Sequence, residues 1–305
     1  MLDPSPSNPV PFGRYLITER LGRGGMAEVF KGKLPGLDGF ERTVCIKRIL
    51  PELAEQEDFV RLLLDEARIT VALHHPNIVQ CLDLGKHEGV YFMAMEYIEG
   101  RDLQQLYDAC EQRGIFFPFK HSLHVLGQTL EGLAYAQRAR GPDGQPLDLV
   151  HRDLTPSNIF VSFEGDVKIG DFGVARASVM KRMETTGKTV GKLGYLSPEQ
   201  VKGLELDGRS DIFSLGVTLF ELLTRTPLFP GDDPDEVMEL ITKFDPVRTI
   251  EAHPTLPNDL ADMLLKALAV DREDRYPNAQ DFSEDLTDFL FNEGIRVGSR
   301  DLSEF

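Results

Sequence analysis

The chain has 305 residues, of which 41% are hydrophobic, enough for a large core and more than one compact unit usually holds. A net charge of −17 excludes the basic surface that a nucleic-acid partner needs, while leaving cationic protein substrates open. Cys45, Cys81 and Cys110 are widely spaced with no C-x-x-C pair, which excludes a disulfide framework and a cysteine zinc site and makes a reducing cytoplasm the simplest compartment.

Residues 1–11 carry Pro4, Pro6, Pro9 and Pro11 among Ser and Asn. They lack the basic start and apolar run of a signal peptide and read as a flexible lead. Tyr15 to Val29 predicts a strand, a glycine turn and a second strand. Gly22 and Gly24 in that turn let the backbone approach phosphate and aim N–H groups at it. A dinucleotide-binding turn needs a helix next, yet Glu28 to Lys33 reads as strand, so that option is rejected. After a loop at Pro35 to Gly39 comes Val44-Cys45-Ile46-Lys47, an apolar strand with one lysine. A helix is predicted over Asp58 to Leu73, with Glu66 and the competing Asp65 as partners for Lys47. Val79 to Gly85 and Val90 to Tyr97 predict two more strands.

Helices follow over Asp102 to Gln112 and Phe119 to Arg140, then an exposed turn at Gly141 to Pro146. His151-Arg152-Asp153-Leu154-Thr155-Pro156-Ser157-Asn158 combines a carboxylate able to accept a hydroxyl proton with an amide oxygen five residues later. Turn chemistry alone also explains these residue types. Short strands at Asn158 to Ser162 and Val167 to Gly170 lead to Asp171-Phe172-Gly173. Ala177 to Val190 is polar and suits a mobile segment, closing at Ser197-Pro198-Glu199. Asp211 to Leu223 is apolar nearly all round, as in a helix at the middle of a domain. Leu256 to Ala269 and Asn278 to Leu290 predict the last helices. No run of about 18 apolar residues marks a membrane span.

Taken together, the glycine turn, Val44 to Lys47, the His151 to Asn158 loop, Asp171 to Gly173 and Ser197 to Glu199 resemble the motif set of protein kinases. Gly-Gly-Met-Ala at 24–27 and Tyr-Leu-Ser-Pro-Glu-Gln at 195–200 resemble the bacterial eukaryotic-like Ser/Thr kinases. The resemblance covers about Phe12 to Asn292. It implies an α+β, bilobal protein-kinase fold: an antiparallel-sheet N-lobe with one main helix over 12–98, a mostly helical C-lobe over 99–292, and a polar tail over 293–305. It implies transfer of the γ-phosphoryl group of ATP to protein Ser/Thr hydroxyls, with Mg²⁺, or Mn²⁺ in its place. The alternatives are a pseudokinase scaffold and a small-molecule phosphotransferase.

By that resemblance Asp153 orients the acceptor hydroxyl, and Lys47, held by Glu66, binds the α- and β-phosphates. Asn158 and Asp171 ligate metal. Leu21, Gly22, Gly24, Val29, Cys45, Met95, Glu96, Ile98 and Phe160 line the nucleotide site. Asp211 anchors the catalytic loop and Arg275 pairs with Glu199. Arg152 would pair with a phosphate carried on Thr185, Thr186 or Thr189. Two departures stand out. Thr155 occupies a position where lysine is usual, and Lys192 one where threonine is usual. Their exchange of residue type predicts that Lys192 supplies the missing cation and Thr155 the hydroxyl.

Overall fold

The computed structural model describes residues 8–141, 143–172 and 190–305. The described residues divide into two compact units. One runs to His75 and resumes over Val79–Ile98; the other comprises Pro76–Ile78 and Glu99–Phe305.

The first unit is a six-stranded antiparallel sheet with one long helix. Its strands are β1 (Val10–Phe12), β2 (Tyr15–Arg23), β3 (Ala27–Pro35) and β4 (Glu41–Ile49), then α1 (Glu57–Ala72), β5 (Cys81–His87) and β6 (Val90–Glu96). The strand order is β1-β2-β3-β4-β6-β5. Alternation decides which residues are buried: Ile17, Phe30, Val44, Ile46, Phe92 and Ala94 join Phe12 and Tyr15 in one apolar cluster. Phe12 and Tyr15 both meet the Phe92 ring edge-on, at 5.1 and 5.7 Å. The lead expected over residues 1–11 therefore ends earlier. Val10 and Pro11 pair with Ile17 and Leu16, because burying Phe12 draws its neighbours into the ladder.

The second unit opens with β7 (Gly100–Asp102), α2 (Leu103–Gln112) and α3 (Phe119–Gln137). Next come β8 (Ile159–Ser162) and β9 (Val167–Ile169), which with β7 make a small antiparallel sheet in the order β7-β8-β9. The remaining helices are α4 (Val190–Leu193), α5 (Pro198–Val201), α6 (Arg209–Thr224), α7 (Pro234–Thr242), α8 (Pro246–Glu251), α9 (Asn258–Ala267), α10 (Ala279–Asn292) and α11 (Ser299–Glu304). Helix α6 is the centre. Ile212, Phe213, Leu215, Val217 and Leu219 are fully buried on every side of it. Each such side chain contributes about 1.5–3 kcal/mol relative to exposure. The helix stops at Arg225, whose left-handed backbone (φ 61°) lets its N–H return to Glu221 O at 2.8 Å.

Local chemistry sets the other starts. Asp102, Asp233 and Asn278 accept hydrogen bonds from the first-turn N–H groups of α2, α7 and α10. Residues 76–78 belong to the second unit because Asn77 is bound there on both sides. Its Nδ2 donates to Val167 O at 2.8 Å, and its O accepts from Ile169 N at 2.8 Å.

The C-terminal segment is a correction to the expected polar tail over 293–305. Helix α11 docks on α3: Leu302 is buried, Lys120 pairs with Asp301 at 2.8 Å, and the Phe305 ring lies 5.6 Å from that of Phe117. The approach is close. Gly165, between β8 and β9, has φ +86°, and a Cβ there would lie 1.9 Å from Ser299 O.

Candidate functional site

In the first unit the ladders align the expected nucleotide residues. Gly22 stands opposite Val29, Val29 opposite Lys47, and Cys45 opposite Met95. Cross-strand partners share a face, so Val29, Cys45, Lys47 and Met95 occupy the face away from buried Phe30, Val44 and Ile46. Lys47 Nζ donates to Glu66 Oε1 at 2.7 Å, with both side chains largely buried. Asp65, the competing carboxylate, faces outward and pairs with Arg68. At the turn, a Cβ on Gly22 would meet nothing within 4 Å, so packing does not demand glycine there. Leu21 is exposed beside it. Glu96 is tied down by Gln80, whose N–H donates to Glu96 Oε1 at 2.7 Å and whose O accepts from Glu96 N at 2.9 Å. Ile98 is half-buried. Burial pushes the nearby Cys81 thiol up to about 11, which keeps it protonated and unreactive.

In the second unit one connected scaffold carries the His151 to Asn158 loop. Asp211, buried at the start of α6, accepts from His151 N at 2.7 Å and Arg152 N at 2.9 Å. Burial raises its carboxyl pKa, opposed by His151 and by these N–H groups. His151 Nε2 lies 2.9 Å from Gly170 O, and its ring packs 4.8 Å from that of Phe172. Asn158 Nδ2 donates to Asp153 O at 2.7 Å, and Asn158 O accepts from Gly170 N at 2.9 Å. Asp153, Asn158 and Asp171 are thereby set on adjoining backbone. Asp171 (φ 53°) and Arg152 (φ 67°) both hold left-handed backbone, a costly conformation for such residues. Phe160, on β8, pairs with Asp102 and Lys168.

Glu199, in α5, is itself held by two partners. Arg275 forks onto it at 2.7 and 2.9 Å, and Ser210 Oγ donates to it at 2.7 Å. Gln200 Nε2 donates to Arg152 O at 2.9 Å, a brace that motif reading overlooked. Ser197 and Gln200 form a capping box, and the S-x-x-Q pattern there was the available signal. A second overlooked pair is Tyr195 and Glu221. The phenol donates to Glu221 Oε2 at 2.6 Å, and Leu228 N donates to Oε1 at 3.1 Å. Burial raises both pKa values.

Thr155 and Lys192 line one cavity of about 580 Å³ in this unit. Thr155 is buried, and its Oγ1 has no hydrogen-bond partner among the described residues. Lys192 acts on the Asp102 carboxylate, opposing the dominant upward push of burial. The buried Arg152 Nε is likewise without a partner among the described residues. Gly173, Thr185, Thr186 and Thr189 lie outside the described residues, as does most of the segment expected over Ala177 to Val190.

Against known proteins, a family model described as "Protein kinase domain" matches residues 15–286. "Tyrosine-protein kinase MasK" of Myxococcus xanthus is 41% identical over 295 residues, covering 97% of this chain and 46% of that protein. "Serine/threonine-protein kinase PrkC" of Bacillus subtilis is 34% identical over 274 residues, covering 90% of this chain and 40% of that protein. The chain thus spans less than half the length of either relative. Among solved structures, the Mycobacterium tuberculosis PknI kinase domain aligns with a TM-score of 0.67 at 25% identity, covering 92% of this chain and 97% of that one. That likeness gives the two units the protein-kinase fold, an antiparallel-sheet N-lobe and a helical C-lobe. By the span of the family model and the identity of these relatives, the chain belongs to the protein kinase domain family.

Proposed function

We propose that this chain is an ATP-dependent protein kinase that transfers the γ-phosphoryl group to Ser and Thr hydroxyls, with Mg²⁺ as its metal. The observation that carries the reading is the bonded run from Asp153 through Asn158 and Gly170 to Asp171. It brings a carboxylate for the acceptor proton together with two oxygen donors suited to a hard divalent cation. Asn158 is oriented for this, because its Nδ2 is committed to Asp153 O and only Oδ1 remains as a ligand atom. When bound, the metal neutralises phosphate charge.

Each other residue has a separate task. Asp153 orients the acceptor hydroxyl and accepts its proton as the oxygen attacks the γ-phosphorus; the bond to the β–γ bridging oxygen breaks and ADP leaves. Lys47 binds phosphate oxygens, and Glu66 fixes where its ammonium stands. The left-handed turns at Arg152 and Asp171 hold Asp153 and the Asp171 carboxylate in place before substrate arrives, so that little reorganisation is left to the reaction. Arg152 is the partner for a phosphate on Thr185, Thr186 or Thr189 after autophosphorylation, since its buried Nε has a donor to offer. None of the three cysteines is in a disulfide. Among the described residues no helix is long and apolar enough to cross a membrane.

The test is incubation with ATP and Mg²⁺ followed by intact-mass measurement. Wild type should gain whole phosphate groups and Asp153→Asn should gain none. An unmodified wild type would favour a scaffold. A second reading, transfer to tyrosine, is favoured by the 41% identical relative named as a tyrosine kinase and by Thr155 standing where Ser/Thr kinases carry lysine.

A further inference from the structure

We propose that Glu28 is a positioning residue for the nucleotide: its carboxylate ties β2, β3 and β4 together at the foot of the glycine turn and so holds the turn ready for phosphate. The inference rests on the kinase reading above and adds to it a residue on the opposite face of the sheet from Lys47.

The turn needs such a tie. A Cβ on Gly25 would meet nothing within 4 Å, so neighbouring atoms do not stiffen the tip at that point, and glycine leaves its backbone loose. The ladder that feeds the turn is interrupted as well. Arg20 pairs with Phe30 and Gly22 with Val29, which leaves Leu21 as an extra residue in β2. At the turn itself Gly24 N donates to Ala27 O at 2.8 Å and Leu50 N donates to Met26 O at 2.9 Å. The second of these bonds fastens the tip to the end of β4, on the side away from the bulge in β2.

Glu28 spans that bulge. It stands opposite Arg23 on β2 and Arg48 on β4. Arg48 Nη2 and Nε donate to Glu28 Oε2 at 3.1 and 3.3 Å. Glu28 Oε1 faces Arg20 Nη1 at 3.6 Å and Arg23 Nη1 at 3.8 Å, the arginines on either side of Leu21. The Glu28 side chain is only 8% exposed, and a carboxylate so enclosed is costly without cations, which holds the arginines to it. They have anchors of their own. The Arg48 guanidinium lies 4.6 Å over the Phe30 ring, and Arg23 Nη2 donates to Glu52 at 2.7 Å.

Strand β4 thus carries ion pairs at consecutive residues on opposite faces, Lys47 with Glu66 and Arg48 with Glu28. The first sets the ammonium that binds phosphate. The second sets the turn whose N–H groups do the same. Without the Glu28 carboxylate the β2 side of the turn is loose, and ordering it becomes a cost of nucleotide binding. The turn holds phosphate before and during transfer alike, so the loss falls on binding and spares the chemical step.

The experiment uses the full chain, ATP, Mg²⁺ and a peptide carrying one serine. Initial rates give KM and kcat, and calorimetry gives the Kd of ATP. Glu28→Gln keeps the shape and removes the charge. It should raise Kd and KM for ATP by about fivefold or more, with kcat within about twofold of wild type. Arg48→Gln should give the same split, and adding it to Glu28→Gln should add little, because both remove one contact. Lys33→Gln, which breaks the exposed pair with Glu41 between the same two strands, should change neither constant. Unchanged Kd and KM in Glu28→Gln overturn the tie, as does a fall in kcat at constant KM. A rise of equal size in Lys33→Gln marks general loosening of the sheet and also overturns it. If wild type binds ATP but phosphorylates nothing, the kinase reading falls and Kd alone decides the tie: a rise in Glu28→Gln supports it and no rise overturns it. Wild type that binds no ATP overturns both. If Glu28→Gln does not fold, the double variant Arg20→Gln/Arg23→Gln at exposed positions decides: a raised Kd supports the tie and an unchanged one overturns it.

Discussion

Arg275 and Glu199 are both buried, and their fork is the most enclosed ion pair among the described residues. Burial alone would push the Glu199 carboxyl up, but Arg275, aided by Ser210, outweighs it and holds the pKa below its ordinary 4.5. A carboxylate depressed in this way adds stability above its unfolded pKa. That stability is lost as pH falls through the lower, folded value. Arg275→Met leaves the carboxylate buried without its cation and should cost about 3–5 kcal/mol at neutral pH. In the variant, burial instead raises the Glu199 pKa, so protonation relieves the strain. The gap from wild type should therefore be widest at pH 7 and narrow below about pH 4.5. Urea unfolding across that range checks the prediction; a gap independent of pH would mean that Arg275 acts through packing on Phe213, 4.9 Å from its guanidinium.

Among the elements, α11 and the residue after it meet side chains from elsewhere in the chain, Lys120 and Phe117. Leu302→Ala should destabilise the full chain by about 2 kcal/mol, the low end for a buried leucine, because a terminal helix can undock without the whole unit opening. Denaturant unfolding combined with limited proteolysis at α11 would check this. The sequence did not announce this helix. Leu302 and Phe305 are too few to make a stripe, and the ring contacts of Phe305 are with Phe117 and His121, far away in the chain. By contrast, α6 was legible because apolar residues on every face leave no alternative to the interior. The strands of the first unit were legible through alternation, apart from the short β1. Helices α7 and α8 went unread because Pro and Asp crowd the stretch from Pro227 to Asp235 and return at Asp245 and Pro246. These same residues supply the caps and first turns of both helices. At the site, residue types fixed by local spacing could be located in the motifs, whereas Gln200, Tyr195 and Glu221 act through pairings made only in three dimensions.

On the scale of the whole molecule, the two units draw on the chain differently. The first is a sheet of mostly successive strands. The second is gathered round one helix and reaches back for Pro76–Ile78, so chain order and structural membership part company at Asn77. That separation places Lys47 and Glu66 in a unit built on ladder register, and Asp153, Asn158 and Asp171 in one built on a buried helix. Substitutions should follow the same division: those in α6 reach the acceptor chemistry, and those in β3 or β4 reach the residues aligned with Lys47.

The bonds from Asp211 to the His151 and Arg152 amides have a consequence in time as well as in space. Those amides sit in a loop outside any helix or strand, yet their acceptor is a carboxylate locked into the core of the second unit. Deuterium can replace their protons only when that core opens, so both should exchange as slowly as the amides of α6 and with the same denaturant dependence. Exchange at the pace of surface loops would show that the loop breathes on its own. Slow exchange would mean that the free energy of opening the loop is that of a large part of the second unit, and that its order is already present before ATP or an acceptor arrives.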